Sequence, residues 1–188
     1  MLRVALTGPE STGKSTLSRL LAAHYRTSWA PEYARAYLTE RGPGYTLPDL
    51  EEIARGQLQA EEQAVAEARR RGRPLVFCDT DLLVIKIWAE HSFGFCPDWI
   101  LRQMEQQQYA LVLLLNVDLP WEPDPLREHP QHRSHFYTLY QRELRGQLSN
   151  FAEICGPPAH RFEQACFHVD ELLARTPGGS DDGDDAPE

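Results

Sequence analysis

The chain has 188 residues, 41% apolar and 25% charged, the balance of one globular domain rather than a disordered or fibrous polymer. Its net charge of −9 argues against nucleic acid as a partner. Five of the acids, with no base, fall in 177–188 and leave −4 for the rest, where no Lys/Arg stripe tracks a phosphate backbone. No window approaches the roughly 18 apolar residues of a membrane span, and the opening MLRVALTG turns to glycine and then lysine before reaching signal-peptide form. A cytoplasmic protein with no membrane partner is expected.

From the N-terminus, residues 3–7 form an apolar strand candidate closed by Gly8 and Pro9, and from Lys14 the spacing of Leu17, Leu20 and Leu21 predicts a helix. A brief strand at 28–30 precedes a helix at 33–41, which the Gly42-Pro43-Gly44 turn ends. Thr46 is the expected N-cap of a long helix to about Arg71, with Pro48 in the first turn and Asp49 three residues beyond the cap. Residues 75–78 and 111–115 are continuous apolar runs, the form of strands covered on both faces. Helices are expected at 82–91 and 97–108 between them. A loop rich in proline and histidine at 120–130, a helix at 134–149, a weaker strand at 151–155 and a helix at 159–173 follow. Beyond Arg175 the apolar content vanishes, so 176–188 is predicted to be a disordered acidic tail after one domain at 1–175.

Strands alternating with helices predict an α/β fold with a parallel sheet wrapped on both sides, its ligands at the carboxyl ends of the strands. The four cysteines, Cys78, Cys96, Cys155 and Cys166, make no CxxC pair, and three lie in apolar contexts. They are expected to be reduced thiols rather than a disulfide frame or a zinc knuckle.

Gly8-Pro9-Glu10-Ser11-Thr12-Gly13-Lys14-Ser15 matches the phosphate loop G-x-x-x-x-G-K-[ST] without a mismatch, at a strand-to-helix junction, and Thr16 follows. Its amide N–H groups and the helix N-terminus make an anion site for ATP. Lys14 is expected to contact the β- and γ-phosphates and Ser15 to ligate Mg²⁺. Asp79 and Asp81 end the second strong strand at the same edge. Mg²⁺ is a hard ion that binds carboxylates, waters and phosphate oxygens, so Asp79 suits the acidic magnesium position. Asp81 is either a ligand contact or the N-cap of the helix from Leu82.

Glu32, Tyr33 and Arg35 follow the short second strand and face the place of an acceptor. Glu32 suits the base for a substrate hydroxyl, with Asp79 the alternative, Arg35 a phosphate or acceptor contact, and Tyr33 or Trp29 a stacking platform for a planar ring. The other reading is an ordinary helix start with a solvated Glu/Arg face. Arg127 and Arg133 belong either to a lid at about 120–135 that closes over ATP or to a solvated basic loop. His129, His132 and His135 lack the four clear ligands of a structural zinc site.

Taken together these residues resemble the ribosylnicotinamide kinase domain of NadR-type proteins, a branch of the P-loop nucleoside and nucleotide kinases. The resemblance rests on GPESTGKST, the E-Y-A-R-x-Y pattern of Glu32 to Tyr37, the D-T-D of Asp79 to Asp81, Trp121 to Arg127 with Arg133, and Arg161 to Ala165. It implies a kinase-like P-loop fold, a three-layer sandwich with a mainly five-stranded parallel sheet. It also implies transfer of the ATP γ-phosphate to the 5′-hydroxyl of nicotinamide riboside for NAD synthesis, with Arg127 and Arg133 in the lid. Family members are often fused to an adenylyltransferase carrying H-x-G-H or to a helix-turn-helix. No H-x-G-H occurs here and the phosphate loop begins at Gly8, so a stand-alone kinase is expected. Where the family places an aromatic ring beside the E-Y-x-R block to help sandwich the nicotinamide, this chain has Pro31, with Trp29 two residues back. The alternatives are a kinase for another nucleoside or small alcohol, and a module that binds or slowly hydrolyses ATP; an acid near the acceptor, Glu32, favours the kinase.

Overall fold

The computed structural model describes residues 1–42, 44–147 and 150–176. Along the chain these form β1 (Leu2–Thr7), α1 (Lys14–His24), β2 (Trp29–Ala30), α2 (Tyr33–Arg41), α3 (Leu47–Arg70), β3 (Leu75–Asp79), α4 (Leu82–Phe93), α5 (Asp98–Gln106), β4 (Leu111–Leu115), α6 (Arg133–Gly146), β5 (Phe151–Ile154) and α7 (Pro158–Arg175). The strands make one sheet in the order β2-β3-β1-β4-β5, every pair parallel. The α/β, mainly five-stranded parallel fold expected from the sequence is therefore the fold observed.

Alternation along the strands divides the core between two faces. Val4, Leu6, Phe77, Leu113 and Leu115 pack with Leu17 and Leu21 of α1 and with Ala165, Val169 and Leu172 of α7. On the other face, Ala5, Val112 and Leu114 meet Leu83 and Ile87 of α4 and Phe136, Tyr140 and Leu144 of α6. Val76 and Cys78 meet Ala64, Val65 and Ala68 of α3 on that face. A third apolar cluster stands off the sheet, where Ala34 of α2, Leu50 and Ile53 of α3, Ile85 of α4 and Ile100 of α5 pack together. It builds a wall beside the carboxyl edge of β2 and β3.

The register aligns the functional ends. Leu6 pairs with Asp79, Thr7 with Leu114, and Ala30 with Cys78, so the segments that follow β1, β2 and β3 leave from one edge. The Thr46 and Asp49 capping box of α3 is present as expected, and Gly42 ends α2 with its N–H on the Leu38 carbonyl. Pro43, the residues 148–149 assigned to the helix before β5, and the acidic run 177–188 lie outside the described residues.

Several boundaries differ from the expectations. The strand expected at 28–30 is only two residues long, and α4 runs two residues past His91 to Phe93, where Gly94 takes a left-handed turn. The helix expected at 97–108 occupies 98–106. The weak strand forms despite Glu153, because β5 is an edge strand and that carboxylate accepts hydrogen bonds from Tyr137 and Gln141. All four cysteines are free, but Cys155 is exposed and Cys166 half-buried, so only Cys78 and Cys96 are core residues. Among the described residues no helix is long and apolar enough to cross a membrane.

Candidate active site

The phosphate loop wraps the end of β1 between Gly8 and Gly13. Gly8 has φ 131° and lies so close to β4 that a Cβ there would fall 2.8 Å from the Leu115 carbonyl oxygen; glycine at this position is a steric requirement. Ser11 takes φ 56° at the crown of the loop. Thr12, fully buried, donates its hydroxyl to the Pro9 carbonyl at 2.9 Å. From behind, Arg161 of α7 donates to the carbonyls of Thr12 at 2.9 Å, Asn116 at 3.0 Å and Gly156 at 2.7 Å, and also pairs with Asp118. The loop is thereby tied to both β4 and α7.

Lys14, the first residue of α1, folds back to donate to the carbonyls of Gly8 and Pro9, each at 2.8 Å. Withdrawal from water lowers its pKa, opposed by the charges of Glu32, Asp79, Glu10 and Asp81. Burial pushes the Asp79 carboxyl up to about 6, with the Ser15 hydroxyl lowering it and Glu32 raising it further. Asp79 is 2% exposed, and its Oδ1 has no hydrogen-bond partner among the described residues. Buried acceptors are seldom left bare, and an orphan carboxylate oxygen beside the Ser15 hydroxyl fits a hard divalent ion such as Mg²⁺.

Asp81 is occupied otherwise: its Oδ1 accepts the Thr7 hydroxyl at 2.9 Å and the Val84 N–H at 3.2 Å, which makes it the N-cap of α4. Burial raises its carboxyl to about 6 against those hydrogen bonds. Of the two readings open for Asp81, the cap describes its contacts. Between the two acids, Thr80 holds φ 85°, a costly conformation for a β-branched residue, and its buried hydroxyl has no partner among the described residues.

The segment between β4 and α6 lies across the phosphate loop. Glu10 accepts the N–H groups of Glu128 and His129 at 3.1 and 3.2 Å. The Ser11 hydroxyl accepts the Glu122 N–H at 2.9 Å and an Arg127 N–H at 3.3 Å. Arg133 donates to the carbonyls of Ser11 and Leu119 at 3.2 and 2.9 Å. On the far side Arg35 bonds Asp124 at 2.9 Å, and the Tyr45 hydroxyl donates to Glu128 at 3.0 Å.

Beneath this strap lies a cavity of about 540 Å³. Its lining runs from residues 8–17 past Glu32, Arg35 and Thr80 to an apolar chamber with Leu38, Tyr45, Ile53 and Trp88. Tyr45 and Trp88 meet edge to face with ring centroids 4.6 Å apart.

The stacking residues expected from the sequence are elsewhere. Trp29 is 39% exposed on the edge strand and outside the cavity lining, because a two-residue β2 sends Trp29 and Ala30 to opposite faces. Tyr33 turns its ring onto α3, over Gly56. Phe136 and Tyr140 also line the cavity, and Tyr45 and Trp88 are aromatic residues of the chamber. Their sequence signal was weak, since each reads as part of a loop or a helix core. Gln57 and the anchoring role of Arg161 were also missed.

The family described as an AAA domain matches residues 3–161. The chain belongs to that family. Two relatives of this AAA-domain chain are the trifunctional NAD biosynthesis/regulator proteins NadR of Escherichia coli (strain K12) and Salmonella typhimurium (strain LT2). Each is 32% identical over 128 residues, which cover 66% of this chain and 30% of the relative. The AAA-domain chain thus spans under a third of the length of the curated relatives it matches. Among solved structures, NadR in complex with NR superposes with a TM-score of 0.67 at 22% identity, covering 93% of this chain and 52% of that one. NadR in complex with NAD and AMP-PNP gives 0.70 at 23%, covering 95% and 51%. A deoxyadenosine kinase from M. mycoides gives 0.60 at 11%, covering 90% and 100%. The resemblance to NadR-type proteins drawn from the motifs is borne out, and the three structures share the fold.

Proposed function

We propose that this chain is an ATP-dependent kinase that phosphorylates the ribose 5′-hydroxyl of nicotinamide riboside, giving nicotinamide mononucleotide, in the cytoplasm. The observation that carries the reading is one cavity lined by the phosphate loop, by the aromatic residues Tyr45 and Trp88, and by Glu32. The 32% identity to NadR, and the NadR complexes with NR and with NAD and AMP-PNP, support it.

In this reading residues 8–16 receive the triphosphate on their N–H groups and hydroxyls, and Lys14 exchanges its two carbonyl partners for the β- and γ-phosphates. Ser15 and Asp79 would hold Mg²⁺, which neutralises charge on the β- and γ-oxygens when bound. The chamber seats the planar base against the Tyr45 and Trp88 pair and brings the 5′-hydroxyl to Glu32. The Glu32 carboxylate takes the hydroxyl proton as the new P–O bond forms, the bond to the β-phosphate breaks and ADP leaves. Arg127 and Arg133, in a lid at about 120–135, offset charge on the transferred group and keep water out. Positioning supplies most of the acceleration.

The test is ADP release by the purified protein with MgATP across nicotinamide riboside, nicotinic acid riboside, the common nucleosides and no acceptor. Strong stimulation by nicotinamide riboside with a mononucleotide product is expected, and Glu32→Gln should cut it while ATP affinity stays near normal. Equal ADP release with and without every acceptor would refute the kinase reading.

A further inference from the structure

The strand that delivers Glu32 is a poor anchor. Among the described residues β2 has two residues and pairs with β3 alone, at the sheet edge, and α2 begins with no side-chain cap and no acid in its first turn. Something else must hold the first turn of α2 in place, because its N–H groups have no helical partners. That support comes from two adjacent residues of α3.

Gln57 is 1% exposed, and its Oε1 accepts the Tyr33 N–H at 2.9 Å. Its Nε2 points at the Thr80 carbonyl, 3.5 Å away, within the strained turn between Asp79 and Asp81. Beside it, Gly56 receives the Tyr33 ring so closely that a Cβ would lie 2.1 Å from Cε1. One amide side chain therefore spans the ends of β2 and β3, adjacent in sequence to Glu32 on one side and to Asp79 on the other. Its donor and acceptor are committed in opposite directions, which fixes the amide's orientation.

We infer that Gln57 is a positioning residue that sets Glu32 against Asp79, with Gly56 providing the clearance. The inference rests on the kinase reading for its effect on turnover, and on the Tyr33 contact for its structural content. Gln57 itself takes no part in bond making.

The experiment compares wild type with Gln57→Met, close in volume but without hydrogen-bonding groups, with Gln57→Leu as a second apolar variant, and with Gln57→Glu, which keeps an acceptor for the Tyr33 N–H. Nucleoside-dependent turnover and hydrogen exchange of the Tyr33 amide are measured on each. In the apolar variants kcat should fall on the order of a hundredfold, the cost of displacing a reacting group by about an ångström, with both KM values within a few-fold of wild type. Tyr33 exchange should quicken about tenfold, the loss of one hydrogen bond. Gln57→Glu should keep Tyr33 protected. Normal kcat in both apolar variants, or a defect confined to acceptor KM, would overturn the inference; the second result would make Gln57 a substrate contact. If wild type shows no acceptor-dependent turnover, the kinase reading falls. Unchanged Tyr33 exchange in the apolar variants would then still overturn the positioning role, and faster exchange would support it.

Discussion

Glu61 lies on α3, fully buried, and accepts hydrogen bonds from the Tyr109 hydroxyl at 2.8 Å and from Arg3 at 3.3 Å. Burial outweighs these partners and pushes its carboxyl up to about 7 from an ordinary 4.5. Between those two values the native carboxyl keeps a proton that the unfolded chain has released, so the native state is progressively disfavoured as pH rises through that window. At about 1.4 kcal/mol per pH unit the full effect is about 3 kcal/mol, of which roughly 2.5 kcal/mol develops between pH 5 and pH 8. Glu61→Gln removes the ionisation and nearly preserves shape. The variant should match wild type near pH 5 and exceed its stability by roughly 2.5 kcal/mol at pH 8, a large fraction of an ordinary domain's stability. Asp79, also raised to about 6 by burial, acts alike in both proteins and cancels from the difference, while the Asp81 charge adds to the upward shift of Glu61 and so belongs to the effect measured. Urea unfolding of both proteins at pH 5, 6.5 and 8 measures it. A stability gap that does not change with pH would refute the reasoning, because a structural effect of the substitution carries no proton linkage.

Three further perturbations probe the site and its supports. Lys14→Met should weaken ATP binding by on the order of ten- to a hundredfold, the worth of a charge-assisted contact, without unfolding the loop that Arg161 also holds; calorimetric titration with the nucleotide tests this, and unchanged affinity would remove Lys14 from the phosphate site. Gly56→Ala places a methyl 2.1 Å from Tyr33 Cε1, so the ring must retreat by roughly 1.4 Å to reach ordinary contact. The overpacking should cost about 1–3 kcal/mol in urea unfolding, and an unshifted midpoint would contradict the packing. Asp49 is held down at about 2 by the Thr46 hydroxyl, Tyr37 and other contacts, so it stabilises the fold above its unfolded value and loses that contribution as pH falls through about 2. Asp49→Asn should lower the melting temperature at pH 7, with the deficit closing towards pH 2; a deficit equal at both pH values would place the effect outside the carboxylate's charge.

The phosphate loop and the two strong strands were legible because each is local: glycine spacing specifies a turn, and a continuous apolar run requires cover on both faces. The acceptor side was harder to read, since its geometry depends on contacts between segments distant in sequence. Trp29 and Tyr33 have the right chemistry for stacking, but their direction depends on a two-residue strand and on the absence of a side chain at Gly56. The α3 sequence did carry a signal. Its buried stripe passes through Leu50, Ile53, Ala54, Gln57, Glu61, Ala64, Val65 and Ala68, so two long polar side chains interrupt an otherwise apolar face at helical spacing. Polar groups in such positions require partners, and the stripe announces that requirement without naming who meets it. Gln57 finds its partner 24 residues back at Tyr33, and Glu61 finds one 48 residues on at Tyr109. The same helix thus spends one polar residue on the site and the other one turn further on, against Tyr109 and Arg3. Only the three-dimensional path of the chain separates a residue that seats a reacting group from one that tunes stability with pH.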